Sequence, residues 1–537
     1  MNKRYQTIAA ILSSTLFMAC GDKQDNGTGK ISAKISCGWN ASVQLSYEER
    51  RLETPLPFSG ENVVGNDKTP LATRMINAGG FDQLVLNFKQ NLCNTNGLTE
   101  VSNFEQAKKL VSKSGQELWS AAVDRAQGRS IIKGNTSLPA SDDRILYWVR
   151  VQMTKALRQW NPKFVLTAAE KEELQWIFEK ASRGQNSIDF PEGKNVDGRL
   201  YRRMIISGFD VFSLGQPGEP DTGLRNGNPS AAVALALDGK EFTLSDGSIL
   251  HIESYILPVN YDPFTKGMQE DTLGPWFKAG PKRVDASITL SQGPGSIFNL
   301  EQYNARYHGS SAGNDGIVYC LSGSPKEVLP LGTKVGEGVD PISLKGSGCN
   351  IVVPERWFGS DTISEWKKDS PPQFTMATFP HKKMLEGHSQ LGVPRPKWVT
   401  GEGLEGFDVT WNTYYEYFPD CSKPDLSEQK GQEVVNKMPN MSLIKDPAPE
   451  WCSRNGSGGD YLSNESAYRN TLLRDVMGLK IPAGHIHVPV MNHFDGGPDI
   501  KQDDNAMTDA VFESYRTAIV GQTTNLLKII GESLVDK

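Results

Sequence analysis

From Leu200 onward, short β-branched apolar runs alternate with helical stretches, and this restricts the fold more tightly than any other feature of the chain. In LYRRMIISGFDVF (200–212) the run Met204-Ile205-Ile206 stops at Ser207-Gly208, as a strand buried on both faces would. NPSAAVALALDG (228–239) reads as a short helix with Pro229 in its first turn and Gly239 at its end. HIESYILPVNY (251–261) and RVDASITLSQ (283–292) read as further strands. Then come a helix or strand at 464–478, a strand around His487 in IPAGHIHVPV, and a long terminal helix over 506–534. Strands alternating with helices predict a three-layer α/β sandwich with a mostly parallel sheet over 196–537. Gly-, Pro- and Ser-rich stretches at about 320–373 and 400–456 read as insertions on a loop face.

Residues 31–195 have a different period. FDQLVLNFKQNL (81–92), the stretch 103–126, SDDRILYWVRVQMTKALRQW (141–160) and TAAEKEELQWIFEKAS (167–182) carry apolar residues at three-to-four spacing. Ser141 and Thr167 are the expected N-caps, each with an acidic residue in the following turn. The segment is expected to be a mainly helical accessory domain.

The amino terminus reads as an export signal. Lys3 and Arg4 precede a short apolar run, and LFMAC ends on Ala19-Cys20. That ending resembles the lipobox of bacterial lipoproteins, which implies a signal peptide over 1–19, a lipid-modified Cys20 (palmitate being the usual acyl chain) and a polar tether over 20–30. The implied location is the bacterial cell envelope, with the protein held to a membrane by its N-terminal lipid and facing the periplasm or exterior. A net charge of -6 with no basic block argues against a nucleic-acid partner. Cys37, Cys93, Cys320, Cys349, Cys421 and Cys452 remain, an even count that suggests disulfides in an exported chain. Sequential pairing (37–93, 320–349, 421–452) would give each bridge a local loop. None of the six shows the spacing of a structural zinc site, so neither metal nor cofactor is expected.

Chemistry concentrates near the carboxyl end. In GGDYLSNESAYRN (458–470) Ser463 sits where a loop meets a helix, and His487 follows 24 positions later on an apolar strand. A hydroxyl at a helix start and a histidine on a neighbouring strand are the parts of a nucleophile–base pair. His485 is expected to face away from His487 and to be structural.

Six motifs in order resemble the pyroglutamyl-peptidase I family, cysteine peptidases that remove N-terminal pyroglutamate. They are ISGFDVF with NGNPSAAVALAL, YILPVNY, SITLSQG with IFNLEQYNARY, FTMATFPHKKMLEGHSQLGVP (374–394), GDYLSNESAY and GHIHVPV. The resemblance implies His487 as general base and Glu301 as the acid that orients it. It implies that Phe209 and Phe212 enclose a pyrrolidone ring, with Asn228 and Gln292 as polar positioning groups. Two departures stand out: the family's nucleophilic cysteine is Ser463 here, and its arginine ten residues beyond the Glu is replaced by Ser311, leaving Arg306 nearby. The expected activity is hydrolysis of N-terminal pyroglutamate or a related small acyl amide through a Ser463–His487–Glu301 triad, on a small peptide or amide substrate. The alternative is an inactive binding or scaffold lipoprotein that keeps the pocket.

Overall fold

The computed structural model describes residues 37–55, 69–93, 101–129, 138–218, 222–309, 311–316, 348–350, 371–388, 392–396, 406–419, 429–432, 445–491 and 506–535. Cys20 with the export segment, and Cys320 and Cys421, lie outside them.

Ahead of the sheet, after a single helical turn at Tyr47–Arg50, come α1 (Leu71–Gly79), α2 (Asp82–Leu92), α3 (Phe104–Ala126), α4 (Arg144–Gln159) and α5 (Ala168–Ala181). Thr167 caps α5 as expected, in a capping box with Glu170. Ser141 is not the cap of α4. That helix begins at Arg144 after Asp143, and the Asp142 carboxylate accepts from the Arg144 amide at 3.1 Å instead. Cys37 and Cys93 form a disulfide with Cα atoms 5.5 Å apart, the first of the expected pairs. It closes a long loop onto the base of α2.

A seven-stranded sheet organises the rest. Its strands are β1 (Tyr201–Phe209), β2 (Lys240–Thr243), β3 (Ile249–Leu257), β4 (Ala286–Gln292), β5 (Phe298–Glu301), β6 (Val409–Asn412) and β7 (Ala483–Val488). They lie in the order β6-β5-β7-β4-β1-β3-β2. The central four, β3, β1, β4 and β7, are parallel; β5 and β6 run parallel to each other and antiparallel to β7, and β2 is antiparallel to β3. β6 falls inside 400–456, so part of the segment expected to be an inserted loop is an edge strand. Its four residues, VTWN, are too few to show a period of two.

Longer helices among the described residues that follow are α6 (Pro229–Leu237), α7 (Met268–Phe277), α8 (His381–Gly387), α9 (Leu462–Val476) and α10 (Ala510–Glu532). Strand alternation sorts the two faces of the sheet. Ile288, Leu290, Ile486 and Val488 enter an apolar core completed by Val233 of α6 and by Ile519 and Leu526 of α10. Each such side chain contributes about 1.5–3 kcal/mol by leaving water. The opposite face of β4 and β7 carries Ser287, Thr289, Ser291, His485 and His487, and α9 lies over it, its Asn470 accepting from Ser287 Oγ at 2.6 Å. Gly208 of β1 is required by close approach, because a Cβ there would collide with the Ser230 carbonyl at the start of α6.

α6 is apolar all round, as VALAL announces, and such a helix must be covered on every side. The sheet, α10 and α3 cover it between them, with Ala231, Ala234 and Leu235 in one core with Trp119 and Trp148. Polar contacts fix this docking. Gln127 Nε2 donates to the carbonyls of Leu235 and Asp238, at 3.1 and 2.8 Å, at the helix end. Trp119 Nε1 donates to Asp238 at 3.1 Å. Burial, with Glu253 nearby, pushes the Asp238 carboxyl up to about 7.

Candidate active site

Glu301 and His487 are brought together by strand pairing. On antiparallel β5 and β7, Glu301 lies opposite His485 and Asn299 opposite His487, so Glu301 and His487 are diagonal neighbours on one face. The Glu301 carboxylate reaches His487 Nδ1 at 2.6 Å. Both residues are buried. Burial raises the Glu301 carboxyl above the usual range, while the His487 hydrogen bond and then the neighbouring Asn412 amide oppose the rise. With Nδ1 on a carboxylate, the imidazole tautomer leaves Nε2 as the basic nitrogen.

Ser463 lies in the first turn of α9, after Tyr461 in the cap position. No side chain caps this helix, so its first amides keep their donors for a ligand. The Ser463 hydroxyl donates to the Gly458 carbonyl at 3.4 Å. Gly458 stands between the two residues. A Cβ on it would lie 3.4 Å from His487 Cε1 and 3.7 Å from Glu301 Cγ. The YLSN motif therefore puts the hydroxyl at the site but leaves its rotamer to the turn that precedes it.

A small cleft of about 40 Å³, open to solvent, adjoins this point. Its wall contains the expected Phe209, Phe212, Asn228 and Gln292 together with Ser463. Asn228 is also the N-cap of α6, with its Oδ1 accepting from Ser230 and its Nδ2 donating to the Asp210 carbonyl at 2.8 Å. Arg306 is not in the wall. It is buried, and its charge acts on Tyr468 of α9. Cys349 and Cys452 lie in short strands, Gly348–Asn350 and Cys452–Asn455, away from the main sheet.

His485 does not face away from His487. Residues two apart on a strand share a face, and the two rings meet edge to face with centroids 4.7 Å apart. His485 Nδ1 is 2.8 Å from Thr289 Oγ1 and Nε2 is 2.8 Å from Ser291 Oγ. Burial, then repulsion from His487, hold its pKa well below the ordinary value, so it is neutral. Ser291 belongs to the cavity wall, and His485 orients its hydroxyl.

Two descriptions of known families match the chain: "PA0049 N-terminal domain" over residues 29–179, and "PA0049, C-terminal domain" over 203–492. A full-length relative, the uncharacterized protein PA0049 of Pseudomonas aeruginosa, is 54% identical over 539 residues, covering 99% of this chain and 97% of its own length. The chain belongs to the PA0049 family. Among solved structures, pyrrolidone carboxyl peptidase of Pyrococcus furiosus is similar at 16% identity and a TM-score of 0.33, over 62% of this chain and 99% of that one. A mutant of the same enzyme gives 17% identity and a TM-score of 0.31 over the same shares.

Within this PA0049-family chain, sequence reasoning missed Ser291, Val259, Tyr461 and Leu462 of the cavity wall. Tyr461 and Leu462 flank the expected nucleophile and carried a positional signal. Ser291 had one too, since it precedes the expected Gln292, but nothing local tied it to His485. Gly458 was quoted as part of the motif without a role, and its contact with both partners follows only from the turn.

Proposed function

We propose that this chain is a hydrolase of small acyl amides, with Ser463 as nucleophile, His487 as general base and Glu301 as the group that orients the imidazole. The observation that supports it is the buried Glu301–His487 hydrogen bond, with His487 paired across the sheet to Ser291 of the wall that also holds Ser463. Rotation about χ1 moves the Ser463 hydroxyl between staggered wells, away from Gly458 and toward the imidazole. His487 Nε2 then accepts the hydroxyl proton as Oγ attacks the acyl carbonyl. The uncapped amides at the start of α9 stabilise the oxyanion, helped by the helix dipole. The protonated His487 returns the proton to the leaving amine, and water releases the acyl group by the same route. Phe209 and Phe212 offer flat apolar walls, and Asn228, Ser291 and Gln292 offer polar contacts, a combination suited to a compact lactam such as pyroglutamate.

A fluorophosphonate probe is expected to label wild type at Ser463, and Ser463→Ala to abolish labelling. Ser463→Cys is expected to cleave pyroglutamyl-coumarin amides under mild reduction. An unlabelled wild type with a folded but inactive Cys variant would sink the reading in favour of a binding protein. The Ser463 hydroxyl on Gly458 and a cleft wall without Arg306 are the observations on that side.

The proposed setting is the bacterial envelope, through a lipid on Cys20, supported by the LFMAC sequence. Among the described residues no helix is long and apolar enough to cross a membrane. Changing Cys20 to Ser is expected to move the protein from the membrane to a soluble exported fraction or to stall processing; unchanged membrane association of that variant would remove the lipid claim.

A further inference from the structure

The residue between the two pocket phenylalanines' backbone turns is held by the amino-terminal helices. Asp210 follows directly on Phe209 and is buried. Its Oδ2 accepts from Arg150 Nη2 at 3.0 Å and from Arg183 Nε and Nη2 at 3.0 and 2.8 Å. Arg150 belongs to α4 and Arg183 follows α5; both are buried, and Glu179 of α5 pairs with each. The neighbouring wall segments are anchored in the same way. The Asn228 amide donates to Asp143 at 2.7 Å, and Asn260, next to wall residue Val259, donates to Glu48 at 3.1 Å.

The loop also carries a conformation that has to be held. Ser213 has φ 59°, in the left-handed region that favours glycine. Asn226 Nδ2 holds its carbonyl at 3.2 Å, and Asn314 Nδ2 holds that of Val211 at 2.7 Å. A strained residue persists only where its surroundings over-determine it, and such residues cluster at ligand sites.

We propose that Asp210 is a positioning residue through which the amino-terminal helices set the pocket wall at Phe209 and Phe212. The helical segment is then part of the binding site. Arg150 and Arg183 place two fixed charges on one carboxylate oxygen, and the carboxylate fixes the turn that aims both rings. This rests on the reading of the cavity as the substrate site, but its test does not use the chemistry of Ser463.

The test is amide hydrogen exchange on the full chain. In Asp210→Asn, which keeps the shape and removes the charge, the 208–214 segment is expected to exchange roughly tenfold faster or more, with β7 at 483–488 unchanged. Arg150→Lys, which keeps a cation on Asp210, is expected to stay within about threefold of wild type. Equal exchange in Asp210→Asn and wild type, or equal loosening of both segments, would overturn the proposal, the latter because it marks a general structural role. Should Asp210→Asn not fold, Arg150→Gln, which leaves Arg183 in place, takes its part, with a selective rise at 208–214 expected and its absence decisive against. A wild type that resists the fluorophosphonate would remove the hydrolase reading, while the exchange result would still judge Asp210.

Discussion

His487→Ala is expected to slow fluorophosphonate labelling of Ser463 by roughly 10²–10⁴-fold, the range general-base activation contributes, while the unfolding transition stays near that of wild type. The first part follows from the resting geometry. The Gly458 carbonyl that the Ser463 hydroxyl is bonded to cannot take its proton, so under the proposed mechanism activation falls to His487. The second part follows from the ring's bond to a carboxylate that burial has already raised above its usual range. Without the imidazole, Glu301 can take up a proton instead of remaining as a stranded charge. Glu301→Gln should slow labelling less, because the amide still holds the ring. Labelling that survives in His487→Ala at the wild-type rate would remove His487 from the mechanism.

The largest expected loss of stability lies on the same helix. Arg469 of α9 is fully buried and pairs with Glu465 one turn before it, at 2.8 Å, and with Glu270 of α7. Arg469→Met keeps the volume and leaves two carboxylates facing each other without a cation, which costs about 3–5 kcal/mol. Denaturant unfolding at pH 7 measures it. The pH dependence has a definite sign. Burial already raises the Glu270 carboxyl in wild type, with Arg469 opposing the rise. In the variant the folded state therefore holds protons that the unfolded chain has released, and its stability falls as pH rises from about 4 toward 7. The deficit against wild type should shrink on acidification across that window. A deficit that is constant with pH would mean that lost packing, not stranded charge, is responsible.

The residues that sequence placed correctly share a physical property: their signals are local. The capping box at Thr167 and Glu170 closes within one turn, and the Pro229 start of α6 and the Ser463 position in α9 are set by neighbours a few residues away. Four of the sheet's seven strands, β1, β3, β4 and β7, followed from apolar runs of the right length. Where the signal was short or the rule misapplied, the reading failed. β6 has four residues and no visible period; Ser141 lost the cap to Asp143; His485 was assigned to the wrong face although its spacing from His487 already put both on the same one.

By itself, then, the amino-acid order determined the helices and strands, the α/β character, the all-round burial of α6, and the candidate nucleophile and base, since each rests on periodicity or on contacts within one or two turns. Only the tertiary structure decided the pairing of Glu301 with His487 across 186 positions, the turning of the Ser463 hydroxyl to Gly458, and the capture of Asp210 by Arg150 and Arg183. Those depend on strand register, on the rotamer a preceding turn permits, and on which buried charges meet when separate layers pack, and no stretch of neighbouring residues encodes such contacts.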